Sequence, residues 1–132
     1  MADFDEIKEK ITDLNDTDDS TASYDPADIE KNKGLSILAY FSWLVLIPLI
    51  CAKDSKFARF HCNQGILLAI AETAAGIVLG ILGHIKFIGW IFGIVGGIAE
   101  LAFFVLLIIG VINAANGKAK DLPVIGSIRL LK

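Results

Sequence analysis

The sequence predicts an all-α membrane protein: three transmembrane helices, the last two folded into a glycine-rich antiparallel hairpin, behind a mostly disordered acidic N-terminal tail. Three observations predict it. Hydrophobic residues make up 55% of the 132 and the mean hydropathy is +0.63, too apolar for an ordinary small soluble domain. Between Arg59 and Lys86 the one charged side chain, apart from His61 and His84, is Glu72, and between Lys86 and Lys118 it is Glu100, whereas about 20 apolar residues suffice to cross the hydrocarbon core. Eleven of the 15 acids fall within the first 30 residues, so that residues 1–34 carry −7 and residues 35–132 carry +4.

Taken in order, residues 1–33 form the tail. Phe4, Ile7, Ile11 and Leu14 recur at helical spacing among acids, the pattern of a short amphipathic helix, and residues 15–23 read as a solvated linker. Asp13, Asn15, Thr17 and Asp19 imitate a calcium loop, but Asp18 stands where that loop needs Gly and Tyr24 where it needs Glu. Asp25 followed by Pro26 is a helix start. The membrane domain covers 34–132. Its first span, 35–52, carries Pro48, which removes a backbone donor and predicts a kink. The first apolar run starts at Leu35, behind the acids, which does not fit a cleavable signal peptide.

Residues 53–64 are polar, with Asp54 or Ser55 as cap for the second helix and Phe57 and Phe60 at headgroup level. The second span covers 63–84 and the third 90–115. Residues 87–92 either belong to that third helix or lie in the interface. Gly117 suits a left-handed helix end, followed by lysines, and the closing segment 122–132, too short to span, is expected along the membrane surface. Cys51 and Cys62 sit at one membrane face as two small apolar residues, with a disulfide geometrically open.

The hairpin rests on a symmetry about Lys86. Glu72 and Glu100, Gly76 and Gly96, and Gly83 and Gly89 are equidistant from it. At about 100° per residue each set shares a helix stripe, so a turn at Lys86 sets the stripes face to face. Gly76, Gly80, Gly83, Gly89, Gly93, Gly96 and Gly97 then read as a glycine zipper, small residues letting backbones approach in lipid. The same turn opposes Glu72 and Glu100 as an intramembrane acidic pair.

Two stretches, KDSKFARFHCNQGILL at 53–68 and NAANGKAKDLPVIGSI at 113–128, resemble a family of small prokaryotic multi-pass membrane proteins of unknown function. That family is labelled import-component-like for its distant likeness to the twenty-kilodalton subunit of the chloroplast inner-envelope translocon. The resemblance covers residues 33–132. It implies a compact helical membrane domain with a polar signature at one face: Arg59, His61, Asn63, Gln64, Asn113, Asn116 and Lys118. Such side chains either satisfy helix ends, which carry unpaired backbone groups, or dock a partner.

For function, the sequence supports a structural or interaction component of a membrane assembly. The alternative is a proton- or cation-handling accessory using Glu72 and Glu100, since ionisable groups inside a bilayer are functional candidates. No nucleophile stands beside a base and His61 with Cys62 lacks further ligands, so no enzyme, cofactor or metal is expected. The expected partners are the lipid bilayer and further copies or other membrane proteins; no basic patch suggests nucleic acid. Three spans place the termini on opposite sides of the cell membrane, and the positive-inside rule then sets the N-terminus outside and the C-terminus in the cytoplasm.

Overall fold

The computed structural model describes residues 2–15 and 17–130, without the side chains of residues 2–4 and Thr12. Among the described residues five α-helices form: α1 (Ala2–Leu14), α2 (Pro26–Leu38), α3 (Leu46–Cys51), α4 (Lys56–Leu82) and α5 (Gly89–Ala115), with short 3-10 turns at Thr21–Ser23 and Ser42–Val45. Two of these, α4 and α5, are long and apolar enough to cross a membrane. Each has 27 residues, about 40 Å at the helical rise, longer than the hydrocarbon core of about 30 Å. Their start signals follow the sequence. Asp25 accepts from the Ala27 N–H ahead of Pro26, and Ser55 accepts from the Ala58 N–H ahead of α4.

The expected span over 35–52 is corrected. The helix ends at Leu38, the chain turns through Ser42 at φ 56°, and α3 is a separate piece of six residues. Pro48 occupies the first turn of α3, where its missing donor costs nothing. The break is bound in place by α4 and α5. A Cβ on Gly65 would strike the Ala39 carbonyl, and one on Gly110 would strike the Tyr40 ring, so two glycines seat the turn between the helices. Both feet of the segment lie together, because Asp28 near the start of α2 bonds to Ser55 and Phe57 at the start of α4. Residues 26–55 therefore enter and return at one end of the hairpin as a re-entrant segment.

The expected disordered tail is corrected too. Beyond α1, the Ser20 N–H donates to the Ala119 carbonyl and the Asp121 N–H to the Asp18 carbonyl, in a β-bridge between Asp19 and Lys120. The N-terminal and C-terminal segments thus sit at the same end, which overturns the expected placement of the termini on opposite sides. The closing segment is likewise packed against protein, with Leu122 and Gly126 buried.

Burial divides the hairpin in two. In α4 the buried residues run from Phe57 to Ala69, and in α5, apart from Gly89 at the turn, they gather at Ile109–Ala114. Beyond these, Ile70, Ile77, Ile81, Ile94, Ile98 and Leu101 are exposed. One end is a closed cap; the other is a bare pair of arms. The arms meet in a turn at residues 83–88, around Lys86, with Gly89 pressed on the Gly83 backbone and Phe87 at φ 75°.

Candidate functional site: the polar cap

The polar signature forms a network inside the cap. His61 projects from the second turn of α4 and is buried, as are Asn63, Gln64 and Asn113. The Tyr40 hydroxyl lies 2.5 Å from His61 Nδ1, and His61 Nε2 lies 2.9 Å from the Lys118 carbonyl. A carbonyl oxygen only accepts, so Nε2 carries the proton. In the neutral ring Nδ1 then accepts from Tyr40. Phe57, Phe60 and Tyr40 pack their edges on the same imidazole at centroid distances of 4.7, 5.2 and 5.5 Å.

The two amides on the next turn seize the C-terminal backbone. Asn63 donates to the Ile128 carbonyl at 2.8 Å and accepts from the Leu130 N–H at 2.6 Å. Gln64 donates to the Gly126 carbonyl at 2.9 Å and accepts from the Leu122 N–H at 2.8 Å. Near the end of α5, Asn113 exchanges two side-chain bonds with Asn15, at 2.8 and 3.0 Å. Gly117 takes the left-handed φ of +70° that ends the helix. Lys118 contributes its carbonyl, while its side chain and Asn116 are exposed. Arg59 is half-buried at the cap surface beside Phe60. No buried side-chain nitrogen or oxygen among the described residues lacks a partner; buried amides left unpaired would cost about 1–3 kcal/mol each.

Several members were invisible in the sequence. Asp28 accepts from the Ser55 hydroxyl at 2.5 Å, the Phe57 N–H at 3.0 Å and the Asn32 amide at 2.7 Å. Burial pushes its pKa up, but these three bonds and the charge of Lys31 outweigh it, and the carboxyl sits below its ordinary value of 3.8. Asp121 pairs with Arg129 at 2.8 Å, and the Arg129 guanidinium lies 5.4 Å from the Phe60 ring centre. Burial raises the Tyr24 phenol above its usual pKa, opposed by Arg129 and reinforced by Asp121. Tyr40 was the available signal, a phenol in an apolar run that must find a partner once buried.

The glycine zipper is corrected. A Cβ on Gly76, Gly80, Gly93 or Gly97 would meet nothing within 4 Å, and one on Gly96 would only touch Leu79 at 3.9 Å; of the set, Gly83 and Gly89 alone are in close contact. Gly76, Gly80, Gly93 and Gly96 open a groove of about 260 Å³, walled also by Leu79 and Phe103. Their missing side chains leave space instead of contact. Glu100 is exposed and lines this groove, while Glu72 is half-buried on the other arm. No hydrogen bond joins the two carboxyls. Cys51 is exposed and Cys62 buried, both as free thiols. No cluster of three or more metal-ligating side chains occurs among the described residues.

No solved structure matches the chain. Among relatives by sequence, a UPF0132 membrane protein of Methanocaldococcus jannaschii is 35% identical over 79 residues, which is 60% of this chain and 66% of that protein. The magnetosome proteins MamF and MmsF of Paramagnetospirillum magneticum are 29% and 28% identical, over 67% and 69% of this chain and 74% and 78% of their own lengths. These matches support the small prokaryotic membrane family of the expected resemblance and do not show a likeness to the chloroplast translocon. The family model matching residues 31–131 takes in most of the re-entrant segment, both long helices and nearly all of the closing segment. On that match, the chain belongs to the magnetosome magnetite crystal formation protein family.

Proposed function

We propose that the protein is a non-catalytic structural component of a membrane assembly, held by the α4–α5 hairpin and joined to neighbouring membrane helices along the glycine groove. The observation that carries this reading is the contrast between the two ends. In the cap, polar side chains are consumed by internal bonds, while the arms keep a concave, small-residue surface that a helix could fill. Small residues on lipid-facing helices favour close helix association. The UPF0132 relative is named as a membrane protein, MamF and MmsF as magnetosome proteins, and the family by magnetosome magnetite crystal formation.

The bases reinforce an orientation. Lys31, Lys33, Lys53, Lys56, Arg59, Lys118, Lys120 and Arg129 belong to the cap end, against Lys86 at the turn. By the positive-inside rule both termini lie in the cytoplasm. The test of assembly is cross-linking in native membranes with Gly80→Leu and Gly93→Leu, which fill the groove without touching the cap. Loss of the cross-linked species with an unchanged unfolding temperature is expected; retained assembly would overturn the reading.

A second reading, cation or proton handling by Glu72 and Glu100, is favoured by the position of Glu100 in the groove. Glu72→Gln with Glu100→Gln separates the two, because Gln bonds without titrating. A pH-dependent conductance in liposomes that disappears in this variant while assembly persists would decide for ion handling.

A further inference from the structure

A second cavity, of about 380 Å³, opens on the surface of the cap. Lys56 and Arg59 from the first turns of α4 and Arg129 from the closing segment line it, with Ser23, Tyr24 and Phe60. Three basic residues and two hydroxyl residues thus share its wall with Asn63, and among the described residues no acid lines the cavity. Arg129 is set in advance: Asp121 and the Gly126 carbonyl hold its guanidinium on the Phe60 ring, and Asn63 grips the backbone on both sides of it. The neighbouring cavity of about 670 Å³ differs in its charge: Asp25, Asp28 and Asp54 offset Lys31, Lys53 and Lys56. Lys56 lines both, and what distinguishes the smaller one is the added pair of guanidinium groups, Arg59 and Arg129, with no described acid in its wall.

The helix below the cavity indicates which anion. At about 100° per residue, Ile70, Ile77 and Ile81 lie within about 40° of Arg59 around α4, and they are 47%, 59% and 67% exposed. An apolar stripe thus descends from the cationic pocket along the bare arm. Basic pockets at the cytoplasmic end of membrane helices bind anionic headgroups. We propose that this cavity binds the net-negative phosphodiester headgroup of a membrane phospholipid, with an acyl chain lying along Ile70, Ile77 and Ile81. The site is independent of the groove between the arms, so its failure leaves the assembly role standing.

Native mass spectrometry of the full chain in neutral detergent, titrated with phosphatidylglycerol or phosphatidylcholine, tests it. Phosphatidylglycerol should bind in preference, and Lys56→Gln with Arg59→Gln should weaken it about fivefold per cation removed. Lys31→Gln with Lys53→Gln, an equal charge loss in the mixed cavity, should weaken binding clearly less than the first pair, because neither residue lines the smaller cavity. Equal binding of phosphatidylcholine, or an equal loss in the control pair, overturns the site. Displacement of the lipid by millimolar inorganic phosphate overturns the lipid assignment in favour of a soluble phosphate. If the double variant does not fold, Lys56→Gln at an exposed side chain decides, and undiminished binding overturns the proposal.

Discussion

Tyr40 and His61 hold each other in one hydrogen-bonding arrangement, with the imidazole proton on Nε2 and the phenol proton directed at Nδ1. Removing the phenol oxygen leaves Nδ1 buried without a donor. Tyr40→Phe should therefore lose about 1–3 kcal/mol of stability, read as a lower unfolding temperature in detergent. Asn63 and Gln64 bind backbone and not side chains, so their substitutes must reproduce both a donor and an acceptor. Of this residue-level chemistry, the family resemblance marked Arg59, His61, Asn63, Gln64, Asn113, Asn116 and Lys118 as a set; of these, His61, Asn63, Gln64 and Asn113 are buried. It did not mark Asp28, Asn15 or Asp121: Asp28 and Asp121 also have near partners in Asn32 and Arg129, but the bonds that tie the three to other elements span 27 to 104 positions and leave no local pattern.

The glycines divide by what lies above them. Gly65 and Gly110 are contact points for the re-entrant turn, where a methyl group meets backbone or an aromatic ring. Gly65→Ala should cost about 1–3 kcal/mol through overpacking, whereas Gly76→Ala and Gly80→Ala, in open space, should leave the unfolding temperature unchanged or raise it. Chemical unfolding of the three single variants checks the ranking. Lys86 symmetry located the turn because spacing alone determines where two equal arms fold. It could not tell contact from vacancy, since a stripe of small residues is compatible with both. The interruption at residues 39–45 escaped notice because that stretch is as apolar as a span, and what breaks it is the fit of Ala39 and Tyr40 against Gly65 and Gly110. Pro48, the visible irregularity, only marks where the next helix begins.

At the scale of the molecule, the two ends of the chain close one cap. Ser20→Cys and Ser127→Cys in a Cys51→Ser background should be labelled from the same side of the membrane by an impermeant reagent, both being protected in intact cells. Labelling of one alone would contradict the shared end. The cap should also be acid-labile. The carboxyl of Asp28 is held below its ordinary value in the folded protein, as is that of Asp19, where the Thr21 hydroxyl bond outweighs burial. A depressed folded pKa contributes stability that is complete above the unfolded value and disappears as pH falls through the folded one. Unfolding temperature should hold through neutral pH and drop below about pH 4, the ordinary carboxylate range. Asp28→Asn should flatten that drop. A tail of high negative charge reads as unstructured by composition, and it orders here because a few of its residues, Asn15, Thr17 and Asp19 among them, meet a surface that only the distant chain end supplies.

The bridge between Asp19 and Lys120 has a consequence for biogenesis. Its partner at Lys120 is synthesised after both long helices, so residues 118–122 must leave the ribosome before residues 17–21 acquire their docking surface. Nascent chains arrested after Ala115 should accordingly expose residues 17–21 to protease, and extension through residue 130 should protect them.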